Sequence, residues 1–108
     1  MQVSYILPIK NEFYYIALVL DSILNQDSLY EYEILIADGG STDGTVEIIN
    51  KIINSNSNIK LIDNPNSIVS SGFNLALNEA RGDIIIRVDG HCQIPSNYIN
   101  CCLDLFQN

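Results

Sequence analysis

Positive charge is the first scarcity. Five lysines and arginines face 13 aspartates and glutamates, a formal net charge of −8 over 108 residues. Lys10, Lys51, Lys60, Arg81 and Arg87 are also scattered along the chain. Nucleic-acid backbones are held by clustered cations, so no nucleic acid is expected as partner, and a small anionic ligand needs a single cation or backbone amides to hold it. Cysteine is sparse too. Cys92, Cys101 and Cys102 are odd in number and form no CxxC pair, which points to reduced, intracellular thiols rather than a disulfide framework. No window approaches the ~20 apolar residues of a membrane span, and MQVSYILPIKNE lacks the basic start and apolar stretch of a signal peptide. The expected location is therefore cytoplasmic, with the cytoplasmic face of the membrane open to a longer parent that carries an anchor. There is no repeat at solenoid spacing, and no GxGxxG follows the first apolar segment, which argues against a nicotinamide or flavin site there.

What is present is alternation within a length that allows one domain, residues 1–108. Val3 to Leu7 reads as a strand ending at Pro8. Asn11 is a candidate N-cap for a helix carrying Phe13, Ile16, Ala17, Leu20, Ile23 and Leu24. Tyr32 to Ala37 is a second strand, and Asp43 is placed to cap a helix with Val46, Ile49, Ile52 and Ile53 inward. Ile59 to Ile62 forms a third strand, and a helix from Ser70 to Ala80 offers Phe73, Ala76, Leu77 and Ala80. Ile84 to Val88 is the fourth strand, and the last helix starts near Ser96 with Tyr98, Ile99, Cys102, Leu103 and Phe106 inward. Four strand–helix units imply right-handed crossovers and an α/β, Rossmann-like parallel sheet with helices on both faces. If the order is 3-2-1-4, the cleft lies where the order reverses, beyond the carboxyl ends of the first and fourth strands. Pro8 to Glu12 and Asp89 to His91 would wall it.

The polar residues cluster at those ends. DGGSTDGT, Asp38 to Thr45, combines glycines that let the backbone approach closely with groups able to cap a helix. Asp43 there reads as the cap, and Asp38, ahead of it, as an acceptor for a base N–H or a ribose hydroxyl. Asp89 and His91, the only histidine, flank Gly90. They offer one oxygen and one nitrogen ligand on a turn, to which a diphosphate could add further oxygens. The simpler alternative is a strand end followed by a surface turn. An imidazole ligand tilts the choice of ion from Mg²⁺ toward Mn²⁺. Arg87, two residues before Asp89, shares its face of the strand; it neutralises a phosphate or Asp89, or extends past the sheet edge. Asn11 and Glu12 either complement the start of the first helix or line a nucleotide pocket.

In order and spacing, ILPIKNE, ILIADGGSTDGT, GFNLALNEARGD and IIIRVDGH resemble the family 2 glycosyltransferases, over Val3 to His91. DGH followed by QIPSNYI is most similar to the succinoglycan-type glucosyltransferase branch, in which the usual DxD becomes D-x-H. The resemblance implies the N-terminal half of a GT-A fold, a nucleotide-sugar donor (commonly a UDP-sugar), a divalent metal, Mn²⁺ or Mg²⁺, and inverting transfer to a glycan or lipid-linked acceptor. Carried onto this sequence, it implies nucleotide contacts at Pro8, Glu12, Asp38, Asn74 and Asp89, and metal at Asp89 and His91; Asn11 and Arg87 join the nucleotide-binding candidates from their own place at the strand ends. Gly39 replaces the second aspartate of the usual motif, and Phe73 stands where an arginine often lies, leaving Arg87 or Arg81 to meet phosphate. It further implies that the base deprotonating the acceptor lies beyond residue 108, since Asp104 reads as a solvated mid-helix residue. The isolated chain is then expected to bind nucleotide without transferring sugar, and to self-associate through surface that the missing half would cover. A non-enzymatic, flavodoxin-like interaction or metal-binding module is the rival reading. A sugar nucleotidyltransferase is disfavoured because IKNEFY is not a glycine-rich basic loop.

Overall fold

The computed structural model describes residues 2–107. The elements alternate strictly: β1 (Gln2–Ile9), α1 (Ile16–Leu24), β2 (Glu31–Asp38), α2 (Thr45–Ile53), β3 (Ile59–Asp63), α3 (Val69–Glu79), β4 (Ile84–Arg87) and α4 (Tyr98–Gln107). All strand pairs are parallel and the order is β3-β2-β1-β4, as the sequence predicts.

Each strand divides its residues between two cores, because successive side chains leave a sheet on opposite faces. Val3, Tyr5, Leu7 and Ile9 of β1 join Ile34 and Ile36 of β2 and Ile86 of β4 against α1, α2 and α4. Ile6, Leu35 and Ala37 face the other way, onto Ala76 and Phe73 of α3. Helices therefore cover both faces, three on one and one on the other. A fully buried Leu or Ile contributes roughly 1.5–3 kcal/mol, so Ile6, Leu7, Ile34 and Ile36, all fully enclosed, make β1 and β2 the anchor of the sheet.

Pro8 does not end β1, which continues to Ile9. The N–H of Val88 donates to the carbonyl of Ile6 at 3.0 Å, while that of Gly39 donates to Ile9 at 2.9 Å. Even-numbered residues of β1 thus address β4 and odd-numbered ones β2. β4 pairs with β1 only through Ile6, so the donor that proline lacks falls just past the last ladder pair.

The first helix starts later than expected. Asn11 has φ +55° and caps nothing; α1 begins at Ile16 with Tyr15 at its cap. A residue in the left-handed region leads a turn, not a helix. Phe13 and Ala17 are exposed, and the buried stripe is Ile16, Val19, Leu20 and Ile23. Gly44, at φ +98°, holds the cap position of α2, with Asp43 one residue ahead. On α3, Leu77 is exposed while Gly72 and Ala76 are buried. A Cβ at Gly72 would lie 3.2 Å from Cβ of Ala37, so small residues set the distance between α3 and the sheet. Ile99 and Leu103 carry the inner face of α4; the Phe106 side chain lies outside the described residues.

Candidate active site

Strand register brings the polar loops to one end of the sheet. Ile9 pairs with Asp38, and β4 closes beside Ile6, so the loops after β1, β2 and β4 leave side by side. Between them opens a cavity of about 360 Å³, at the small end of the range for ligand pockets. Pro8, Lys10, Glu12, Asn64, Ser67, Arg87, Asp89 and His91 are among its lining residues.

The β1–α1 loop that presents Glu12 is clipped to the β2–α2 loop. Asn11 N–H donates to Ser41 Oγ at 2.8 Å, and Thr42 N–H donates back to Asn11 Oδ1 at 2.8 Å. Glu12 N–H donates to Thr45 Oγ1 at 3.0 Å, and Phe13 N–H to Asp43 Oδ2 at 3.2 Å. Asp43 also accepts from the hydroxyl and the N–H of Thr45. The Thr45 hydroxyl, ahead of the backbone donors, holds the Asp43 carboxyl below its ordinary value. The hydroxyls and carboxylate of STDGT thus brace Glu12, whose own carboxylate is left free to face the cavity.

Asp38 is buried, and its carboxylate serves its own loop: it accepts from the N–H groups of Gly40 and Ser41 and from Ser41 Oγ at 2.5 Å. A carboxylate has about four acceptor positions, so roughly one is left. Its side chain is not among those that line the cavity. Asn74 is exposed on α3 and does not line it either. Arg81 sits at the opposite end of the sheet, beside Glu33, Lys60 and the start of β3. Of the two arginines considered for phosphate, only Arg87 is at the cavity.

Arg87 Nε lies 3.4 Å from Asp89 Oδ1, both side chains half-exposed. His91 Nδ1 lies 3.8 Å from Glu12 Oε1. The turn is fixed by the Cys92 N–H donating to the carbonyl of Asp89 at 3.1 Å, and by Gly90, buried so tightly that a Cβ would come 2.7 Å from Ile9 Cγ2 and 2.9 Å from Glu12 Cγ. Only glycine allows that approach. Oxygen and nitrogen donors of Asp89 and His91 lie within 4.8 Å of each other on an exposed rim. A hard or borderline divalent cation fits this donor set, with room left for ligand oxygens.

Sequence reasoning gave no site role to Asn64 or Ser67, and included Lys10 only within the wall Pro8 to Glu12. Asn64 is buried after β3: its N–H donates to the carbonyl of Asp38 at 2.8 Å and Nδ2 to that of Ile68 at 2.9 Å. Its Oδ1 has no partner, alone among the buried side-chain polar atoms of the described residues. Such an atom calls for an explanation. The signal was Asn64-Pro65, which reads as ordinary turn chemistry until burial is known.

A cleft at the reversal of strand order, ringed by carboxylates, a cation and an imidazole, defines the class of open parallel α/β folds that hold a ligand beyond their strand ends. Within that class, residues 4–108 match glycosyl transferase family 2, and the chain belongs to that family. Succinoglycan biosynthesis protein ExoA of Rhizobium meliloti is 34% identical over 95 residues, covering 86% of this chain and 29% of that protein. S. aureus TarS 1-349 in complex with UDP superposes with a TM-score of 0.85 at 28% identity, over 99% of this chain and 32% of that one. The mannosyltransferase PcManGT from Pyrobaculum calidifontis, in complex with GDP-Man and Mn²⁺, gives 0.78 at 28% identity, over 86% and 28%. The fold is therefore the strand–helix unit that GT-A glycosyltransferases share. The chain spans between 11% and 35% of the length of the curated relatives it matches.

Proposed function

We propose that this chain, residues 1–108, is the donor-binding part of a longer inverting glycosyltransferase. The parent moves one sugar from a nucleotide-sugar, a UDP-sugar in the first instance, to a hydroxyl of a glycan or lipid-linked acceptor in polysaccharide or glycan synthesis. One observation carries the reading: Glu12, Arg87, Asp89 and His91, from two different strand ends, meet at the rim of one cavity.

Asp89 and His91 would hold the divalent ion, Mn²⁺ or Mg²⁺; the D-x-H pattern and the likeness to ExoA support the succinoglycan-type branch. Bound there, the ion supplies positive charge against that building on the departing diphosphate. Glu12 stands 3.8 Å from Nδ1 of His91, outside hydrogen-bond range, and would orient the ring, as a supporting carboxylate does, once metal binding draws the two together. Lys10 and Arg87 add the cations that this acidic chain otherwise lacks. Asn64 ties the β3–α3 loop to the carbonyls of Asp38 and Ile68 beneath the cavity, and the remaining acceptor position of Asp38 serves the base or ribose from the loop behind. Pro8 forms part of the pocket wall, Asn11 fixes the loop that carries Glu12, and Asn74, the remaining expected contact, stands exposed on α3 outside the lining. The carboxylate that deprotonates the acceptor is assigned to the rest of the parent, because Asp104 is exposed on α4 and apart from the cavity. Free cysteines favour a reducing, cytoplasmic setting, at the membrane face where the acceptor is lipid-linked. Among the described residues no helix is long and apolar enough to cross a membrane. Exposed Leu75 and Ile85 suit a surface that another part of the parent, or a second copy of this chain, covers; sedimentation as a clean monomer would count against self-association.

The test is calorimetry of UDP with and without Mn²⁺. We expect binding that depends on the metal and weakens at least roughly tenfold in Asp89→Ala. Metal-independent binding, or none by a folded sample, overturns the reading in favour of a non-enzymatic module.

A further inference from the structure

Among the described residues, one group brings three metal-binding side chains together, and its third member is Cys92. One ligand atom each from Asp89, His91 and Cys92 lies within 4.8 Å of the other two, and all three residues are exposed. The hydrogen bond from Cys92 N–H to the Asp89 carbonyl folds the chain so that residues three apart share one side of the turn. Gly90, wedged against Ile9 and Glu12, keeps that turn in register with the cavity. Cys101 and Cys102 lie on α4, in no such group.

We propose that Cys92 is a third protein ligand at the metal position, so that the site takes thiophilic and borderline cations, of the Zn²⁺ and Co²⁺ kind, in preference to Mg²⁺. The inference rests on metal binding by Asp89 and His91 and adds the sulfur donor. Oxygen-only sites suit Mg²⁺; each nitrogen or sulfur donor moves preference toward Zn²⁺ and Co²⁺. The thiolate is the ligand, so binding releases the thiol proton to solvent. An O, N and S donor set leaves a position open for a diphosphate oxygen, the pattern of a working rather than a purely structural centre.

The experiment is optical titration of the 108-residue chain with Co²⁺ alone, in the wild type, in Cys92→Ser and in a Cys101→Ser/Cys102→Ser control. We expect a near-ultraviolet thiolate-to-cobalt charge-transfer band in the wild type and the control, absent from Cys92→Ser, with Co²⁺ affinity at least roughly tenfold weaker in that variant. Co²⁺ bound with visible ligand-field absorption but no sulfur band overturns the role of Cys92 and leaves Asp89 and His91 as the site. A band that survives in Cys92→Ser overturns it as well. No Co²⁺ bound at all removes the metal site and this inference together. Circular dichroism of each variant verifies that the fold is intact.

Discussion

His91 Nδ1 lies 3.8 Å from Glu12 Oε1, although one follows β4 and the other follows β1. The contact joins the two walls of the cavity, and Gly90 makes it possible by letting the turn sit against the Glu12 side chain. If Glu12 orients the imidazole, Glu12→Ala should weaken Mn²⁺-dependent UDP binding roughly tenfold. Metal-free binding should change less. Calorimetry in both conditions separates the two.

Two glycines give a matched comparison. A Cβ at Gly90 would lie 2.7 Å from Ile9 Cγ2; at Gly82 it would lie 2.6 Å from the backbone nitrogen of Ser4. Each alanine variant should lose about 1–3 kcal/mol of stability by overpacking. Only Gly90→Ala should also lose nucleotide affinity, because Gly82 serves the opposite end of the sheet. Denaturant unfolding followed by UDP titration at low temperature reads both.

Asn64→Ala removes the Nδ2 hydrogen bond to the Ile68 carbonyl and, among the described residues, the one buried side-chain acceptor that lacks a partner. Stability should fall by about 1 kcal/mol, the typical net worth of one hydrogen bond, read as a lower urea midpoint. An unchanged midpoint would show that the Asn64 amide does not hold the β3–α3 loop.

Burial, followed by the neighbouring Tyr32, Cys102 and Tyr98, pushes the Tyr5 phenol well above its ordinary value of 10.0. The folded chain therefore holds this proton more tightly than the unfolded chain. Its contribution to stability is complete below pH 10 and declines as pH rises beyond it. Tyr5→Phe should flatten that alkaline decline, as seen in midpoints of urea unfolding from pH 9 to 11. Tyr98, also raised chiefly by burial, leaves a residual slope.

The parallel order was legible because β-branched runs without polar alternation mark strands buried on both faces, and the site end followed from it. Asp89 and His91 could be placed on a cleft wall from the strand order, whereas spacing leaves Arg87 open between a phosphate, Asp89 and the sheet edge; in the structure its Nε lies 3.4 Å from Asp89 Oδ1. Asn11 could not: asparagine suits both a cap and a left-handed turn, and only the bonds to Ser41 and Thr42 decide between them. Asp38 looked free because sequence does not show that its own loop would turn back on it. Asn64 was missed since Asn-Pro reads as a turn, and burial beside the cavity gives it meaning.

The central claim is that the ends of β1 and β4 form one metal-assisted nucleotide site. Its most direct measurement is paramagnetic broadening of backbone amide resonances when Mn²⁺ is added to the UDP-saturated chain. We expect signals of Glu12, Gly90, His91 and Cys92 to vanish first, while those of Glu33, Lys60 and Arg81 persist. Broadening centred on the latter group, or spread without preference over the acidic surface, would contradict the account.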